Sequence, residues 1–218
     1  MRLSEQTVSL LKNFASMNQN LQFKAGNKLS TISAQKNILV NAEIPESFPS
    51  DFAVYDLNKF LGVLSLFQDP TLEIGEKRMN VSGKVNYVFA DPSMILVPPD
   101  KGLAFPEPEV SFTLTNADFT QVIKAASLLG LPHICVVGNG TEITLEATDV
   151  NNSASDDYKT EVGTTNETFN LVFKIENLKL YTGDYNVELT SQGISKFSHT
   201  SSNLQYFIAT ESDSSFGA

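Results

Sequence analysis

The stretch 91–109, DPSMILVPPDKGLAFPEPE, decides how the chain is divided, because it holds five of the nine prolines. Proline fixes φ, removes a backbone donor and biases the preceding residue toward extended geometry. The stretch therefore predicts a long extended connector rather than a helix or a central strand. It separates two halves that each have the size of a small domain. We expect one domain over residues 1–92, a connector over 93–109 and a second domain over 110–218.

Composition limits the class of protein before any motif is considered. With 218 residues, 41% of them hydrophobic, each half can form a core. The single cysteine excludes an internal disulfide and suits a reducing cytosol. We expect neither a signal peptide nor a membrane span. The formal net charge of −10 argues against nucleic-acid binding over the whole surface, although an acidic exterior can coexist with a basic inner face.

Two amphipathic helices are predicted in the first half. Ser4 is a suitable N-cap for a helix over residues 5–17, and Lys12 falls about 150° from the centre of its apolar stripe. Asp56 caps a second helix, in which Lys59 falls about 130° from the stripe. Short alternating runs between and after these helices predict antiparallel strands, with Pro45 in a loop.

The second half repeats this order of helix, strands, helix, strands. Asn116 is the expected cap of a helix in which Lys124 lies about 140° from the apolar stripe. A shorter helix over residues 174–183 would carry Lys179, and the tail 211–218 is expected to fray. The chain is therefore predicted to be an α+β protein of two similar domains.

The sequence has no strong pattern of catalytic or metal-binding residues. His133 and Cys135 lie two apart on a predicted strand among apolar residues, where a buried cysteine beside a hydrogen-bonded histidine is the simpler interpretation. No Cys/His spacing fits zinc, no glycine-rich loop fits a phosphate, and the acidic loop 149–157 lacks the spacing of a calcium site. We expect no enzymatic activity, no metal and no cofactor.

Five segments give the chain a family resemblance: LSEQTVSLLKNFAS, DFAVYDLNKFLGVLSLF, ADPSMILVP, FPEPEVSFTL and LQYFIATESDSS. Their order and spacing resemble the sliding clamp, or DNA polymerase processivity factor, of T-even-type bacteriophages over nearly the whole chain. Residues 138–168 match least well. The resemblance implies a DNA-clamp fold, in which two inner helices per domain pack on antiparallel sheets and three subunits form a ring.

The resemblance also implies a function and partners. Such a clamp encircles duplex DNA without reading its sequence, tethers the replicative DNA polymerase and is opened by a clamp loader. It also supports late transcription, and its place is the cytoplasm of the host cell. Weak, sequence-independent electrostatic contacts suit a protein that is held on DNA by topology.

Three sets of site residues are expected. The DNA-facing set is Lys12, Lys59, Lys124, Lys179 and Arg2. A pocket for partner peptides, between connector and final strand, is formed by Val97, Leu103, Phe105, Pro106, Phe207 and Ala209. Subunits join through the strands near residues 84–90 and 157–162, which contain Tyr87 and Lys159.

Two other classes remain open from the sequence alone. A structural or assembly protein of a phage, with a duplicated α+β domain and no DNA binding, would show the same repeat. An enzyme is the third class, and activity that depends on Cys135 would favour it.

Overall fold

The computed structural model describes residues 1–99 and 101–217. The chain divides into two compact units, unit 1 (residues 1–103) and unit 2 (residues 104–218). The boundary falls inside the predicted connector. Each unit is described by itself.

The described residues of unit 1 form two α-helices and seven strands. In chain order these are α1 (Glu5–Ala15), β1 (Leu21–Phe23), β2 (Gly26–Ile32), β3 (Ile38–Phe48), β4 (Phe52–Val54), α2 (Leu57–Leu64), β5 (Leu72–Ile74), β6 (Arg78–Val81) and β7 (Val85–Val88). All pairings are antiparallel: β1 pairs with β4, β2 with β3, and β5, β6 and β7 form a three-stranded sheet with β7 at one edge.

The described residues of unit 2 form one α-helix and nine strands. They are β8 (Val110–Leu114), α3 (Asn116–Leu129), β9 (His133–Asn139), β10 (Glu142–Thr148), β11 (Tyr158–Thr164), β12 (Thr168–Lys174), β13 (Tyr185–Leu189), β14 (Ile194–His199), β15 (Leu204–Ala209) and β16 (Ser215–Phe216). One antiparallel sheet has the order β11-β10-β9-β12-β16, with β11 at its edge. In a second, β15, β14, β13 and β8 are neighbours. The predicted α+β class with antiparallel sheets is confirmed.

Aromatic side chains fill much of the core of unit 1. Phe23 stacks on Phe52 with ring centroids 4.5 Å apart, and Phe48 and Phe60 meet Phe23 edge-on. These rings come from β1, β3, β4 and α2, so they tie the helix to the strands around it. The burial of these rings and their stacked and edge-on contacts stabilise unit 1.

In both units, a carboxylate that is distant in the sequence accepts a backbone N–H at the start of a helix. The backbone N–H of Ser4, ahead of α1, donates to the carboxylate of Glu46 on β3. The backbone N–H of Asn116, at the start of α3, donates to Asp184 at 2.7 Å. A carboxylate near a helix N-terminus satisfies a donor that has no partner within the helix and is favoured by the helix dipole. The internal repeat therefore extends to these contacts.

Helix boundaries differ from the predictions in detail. The Ser4 cap of α1 is confirmed, but α1 ends at Ala15 rather than Met17, where Ser16 bonds back to the carbonyl of Asn13 at 2.7 Å. The cap of α3 is Thr115, not Asn116. Its hydroxyl accepts the N–H of Asp118 at 3.1 Å, because the Asn116 side chain is engaged by the N–H of Gly183 instead.

The predicted fourth helix is a single 3-10 turn, Ile175–Asn177, so Lys179 lies outside any helix. The residue that precedes this turn is Lys174, which has no side-chain acceptor for the first N–H groups. By contrast, Asp56 ahead of α2 accepts the N–H of Lys59 at 2.8 Å. Without such a cap, and with Asn177 in the first turn, the α-helix does not propagate.

Two loop predictions are also wrong. Pro45 lies within β3, where the register against β2 shifts between Gly26 and Lys28, and such an irregularity tolerates a residue without an N–H. The tail does not fray at its described residues, since β16 pairs with β12 and Phe216 stacks on Phe169 with centroids 5.3 Å apart.

Candidate DNA-facing and partner surfaces

The two helices of unit 1 each place one lysine opposite their buried stripe. In α1 the side chains of Leu10, Leu11 and Phe14 are buried and Lys12 is exposed. In α2 the buried set is Leu57, Phe60, Leu61 and Leu64, and Lys59 is exposed. The two helices pack side by side. The amphipathic pattern therefore leaves both ammonium groups in solvent.

In unit 2 the corresponding lysine is Lys124 on α3. Val122 and Ala126 are buried, and Lys124 is exposed. Among the residues described, no carboxylate forms an ion pair with Lys12, Lys59 or Lys124. Three helices thus present an uncompensated positive charge, which suits weak contacts with a polyanion.

The other two predicted DNA-facing residues lie in different surroundings. Arg2 precedes α1 and forms an exposed ion pair with Asp69 at 2.9 Å, so a neighbouring carboxylate offsets its charge. Lys179 is exposed, but it lies beyond the 3-10 turn rather than on a helix. The structure therefore groups Lys12, Lys59 and Lys124 by position and leaves Arg2 and Lys179 outside that group.

Charge is divided unevenly between the units. Unit 1 contains ten basic and ten acidic residues, whereas unit 2 contains five basic and fifteen acidic residues. The whole net charge of −10 therefore belongs to unit 2. An acidic body with lysines on its helix faces fits the expectation that only a limited part of the surface attracts DNA.

Part of the predicted peptide pocket comes together within unit 2. The rings of Phe105 and Phe207 lie 5.8 Å apart between centroids, with Phe207 buried and Phe105 half-buried. The Nζ atom of Lys196 lies 5.1 Å from the centroid of Phe105 and also pairs with the carboxylate of Glu188. Pro106 and Ala209 are half-buried. Phe105 is therefore held between an aromatic ring and a cation.

The other two pocket residues, Val97 and Leu103, belong to unit 1. Both are exposed, at 38% and 42%. The neighbouring Leu96 is fixed through its backbone: its N–H donates to Asn20 at 3.0 Å and its carbonyl accepts from Asn18 at 3.3 Å. These amides hold this part of the connector extended on unit 1.

The strands predicted to join subunits are edge strands in their own sheets. The side chain of Tyr87 on β7 is buried against Phe60, with ring centroids 5.4 Å apart, and its hydroxyl donates to the carbonyl of Asp56. On β11, Lys159 is exposed and its Nζ pairs with Glu146 at 2.7 Å. This hydrogen bond to Glu146 raises the pKa of Lys159.

His133 and Cys135, the pair considered for chemistry, are both buried on β9. Cys135 is buried on β9, and burial, followed by the negative charge of Glu146, raises the pKa of its thiol to about 12. The thiol is therefore protonated at neutral pH and is a poor nucleophile. His133 accepts the N–H of Val150 at 3.4 Å. Within the described residues, no group of three or more His, Cys, Asp or Glu side chains could hold a metal ion.

Comparisons with known proteins decide the family. Residues 4–89 match the family model described as DNA polymerase processivity factor, and residues 111–212 match the one described as gp45 sliding clamp, C terminal. The sliding clamp of Vibrio phage KVP40 is 36% identical to the chain, over 97% of this chain and 99% of the relative. The chain is a member of the sliding clamp family. The sliding clamp of Enterobacteria phage T4 is 30% identical over 98% of both chains.

Solved clamps share the fold of this one at low identity. An A. fulgidus PCNA, solved with the C-terminal region of FEN-1, matches with a TM-score of 0.72 at 12% identity, over 98% of both chains. A Helicobacter pylori beta clamp bound to a DNA ligase peptide matches with a TM-score of 0.71 at 16% identity, over 97% of this chain and 65% of that one. The predicted clamp fold and the resemblance to phage clamps are confirmed.

Sequence reasoning missed two residues of this clamp, Lys196 and Glu188. Lys196 lies opposite Phe207 in the register of β14 and β15, and Glu188 lies opposite Lys196 on β13. The strand register sets Lys196 beside Glu188, and Lys196 contacts Phe105, which is about 90 residues away in the sequence. In the described part of the chain, no helix has the length and apolar character needed to cross a membrane.

Proposed function

We propose that three copies of this clamp close into a ring around duplex DNA and hold the replicative DNA polymerase on it. The observation that carries the proposal is the set Lys12, Lys59 and Lys124. Each lies opposite the buried stripe of its helix, in a family of processivity factors. Repeated in three subunits, these charges would line the hole with weak, sequence-independent contacts that allow sliding.

We propose the partners by the same reasoning. A clamp loader opens the ring in the cytoplasm of the host cell, and the ring then serves the polymerase and, later, transcription. The clamp carries out no chemistry of its own. Phe105, Pro106, Phe207 and Ala209 are the part of unit 2 against which a partner peptide would place an apolar anchor, because Phe105 is only half-buried there. Val97 and Leu103 remain predicted members of this site.

Encirclement has a topological test. The labelled clamp is loaded by its cognate loader onto a nicked circular plasmid, and the complex is isolated by gel filtration. A protein that is held by a closed ring stays on the circle and slides off once a restriction enzyme linearises the plasmid. Blocking both ends of the linear DNA with bound streptavidin should restore retention.

Two outcomes would contradict the proposal. If the clamp were retained equally on circular and on unblocked linear DNA, it would bind by contact rather than by topology. If it were absent from both in the presence of an active loader, encirclement itself would be wrong.

A further inference from the structure

The segment that carries Phe105 is not held in place by its own backbone. Residues 104–109 belong to no helix or strand. Pro106 and Pro108 have no N–H to donate. Within the residues that the structure describes, no backbone-to-backbone hydrogen bond involves residues 104–108. The position of the Phe105 ring therefore depends on contacts between side chains.

Glu109 attaches the end of this segment to the turn between β13 and β14. Its N–H donates to the carbonyl of Leu189 at 3.0 Å. Its carboxylate accepts the N–H of Ser191 and, at 2.8 Å, the hydroxyl of the same residue. These bonds determine where the segment ends. They do not determine where the ring of Phe105, four residues earlier, points.

Lys196 is the charged side chain that meets this ring. Its Nζ atom lies 5.1 Å from the centroid of Phe105, within the distance of about 6 Å at which a cation is attracted to an aromatic face. The ring of Phe207 lies 5.8 Å from that of Phe105. Lys196 on β14 is opposite Phe207 on β15, and residues opposite each other in a sheet share a face. The two side chains therefore contact Phe105 from one face of the sheet.

Glu188 in turn holds Lys196. It is opposite Lys196 on β13, and its carboxylate pairs with the Nζ atom. The Lys196 side chain is only 19% exposed, whereas three other paired lysines, Lys28, Lys159 and Lys174, are 45% or more exposed. A partly buried pair is screened less by salt than a surface pair. The ammonium group is thus held in one place beside the ring.

We propose that Lys196 is a positioning residue of the docking site, which holds the Phe105 ring in the orientation that a partner peptide meets. This inference rests on the proposed docking of a partner peptide at Phe105. A ring that is already oriented loses less entropy when the peptide binds. Without the cation, the ring keeps its contact with Phe207 but lies on a segment that lacks backbone hydrogen bonds. It then occupies the binding orientation for a smaller fraction of the time, and the apparent affinity falls by that fraction.

A positioning residue can be distinguished from one that contacts the peptide. The charge of Lys196 is already compensated by Glu188, so it is not free to pair with an acidic residue of a peptide. If Lys196 acts through the Phe105 ring, its removal should have no further effect once that ring is absent, because the two changes are then not additive.

Titration calorimetry of the full chain with the C-terminal peptide of the cognate polymerase tests this. We expect Lys196→Met, which keeps the length of the side chain and removes its charge, to weaken binding about fivefold. Lys196→Arg should restore the affinity to within about twofold of wild type, because a guanidinium can pair with Glu188 and stack on the ring. In a chain that carries Phe105→Ala, Lys196→Met should not change the affinity further.

The matched control is Lys174→Met. Lys174 is also a lysine of unit 2 that pairs with a carboxylate, that of Glu211 at 3.1 Å, but it lies on β12 in the other sheet. The substitution makes the same change in charge and should leave the affinity for the peptide unchanged. Circular dichroism checks that each variant is folded.

A second measurement reports on the ring when no peptide is present. 4-Fluorophenylalanine placed at position 105 alone gives a ¹⁹F NMR signal from that ring. We expect Lys196→Met to move this signal toward that of the free amino acid, because the ring becomes more mobile. Lys174→Met should leave the signal where it is.

The outcomes separate failure of the docking site from failure of the positioning role. If Phe105→Ala does not weaken peptide binding, the docking site is wrong and the role of Lys196 falls with it. If Phe105→Ala weakens binding but Lys196→Met leaves the affinity or the fluorine signal unchanged, the docking site stands and the positioning role is wrong. If Lys196→Met weakens binding equally with and without the Phe105 ring, Lys196 contacts the peptide directly, which also overturns the proposal.

Discussion

At the residue scale, Glu46 connects a strand to a helix start. Its carboxylate accepts hydrogen bonds from the hydroxyl of Thr7, at 2.6 Å, and from the N–H of Ser4. Burial alone would raise the pKa of Glu46, but these hydrogen bonds outweigh it and hold the pKa below its usual value. The ionised form is thus stabilised by folding, and the stabilisation is present above the pKa of the unfolded chain.

We expect Glu46→Gln to lower the free energy of unfolding by about 1 kcal/mol at neutral pH. The difference from wild type should shrink as pH falls from about 4.3, the ordinary glutamate value, through the lower pKa of the folded state. Urea denaturation of both proteins at several pH values measures this difference in the free energy of unfolding. Glu73→Gln, an exposed residue on β5, is the control. A difference that stays constant down to acidic pH would mean that the carboxylate charge is not what stabilises α1.

At the element scale, the connector holds one aromatic side chain in reach of partners. Phe105 lies between Phe207 and Lys196. Pro106, directly after it, restricts the backbone, so less entropy is lost when a ligand binds. We expect Phe105→Ala to weaken binding of the C-terminal peptide of the cognate polymerase by roughly 2 kcal/mol, about thirtyfold. Isothermal titration calorimetry measures this change in affinity.

Phe216→Ala is the matched control for that titration. Phe216 is also a half-buried aromatic residue of unit 2, and it stacks on Phe169 instead of Phe207. The control should keep wild-type affinity. Equal affinity of all three folded proteins would place the docking site elsewhere on the clamp.

At the scale of the whole molecule, function depends on where few positive charges lie on an acidic protein. We expect Lys12→Glu, Lys59→Glu and Lys124→Glu together to shorten the products of primer extension by the cognate polymerase, since the effect is electrostatic and sequence-independent. Reversal of Lys24, Lys28 and Lys36 makes the same change in charge on exposed strand and loop positions and should have little effect. Unchanged processivity of the first variant at moderate salt would exclude these lysines from the DNA path.

Local patterns determined most of the fold. Apolar residues at helical spacing after Ser4 and Asp56 predicted α1 and α2. They also predicted which side of each helix carries its lysine, because an amphipathic helix buries its apolar face against whatever it packs on. Family membership was also readable from the sequence, since it rests on the order of segments along the chain.

Tertiary structure decided what depends on residues that are distant in the sequence. Only the packing of distant segments shows that Tyr87 is buried against Phe60 and that Lys196 meets Phe105. The short turn after Lys174 likewise looked helical by composition, because the missing cap is a matter of hydrogen bonds and not of apolar spacing. The pattern of side chains determines local geometry over a few residues. Strand register, sheet edges and helix caps supplied by distant residues arise instead from packing between segments that lie far apart in the sequence.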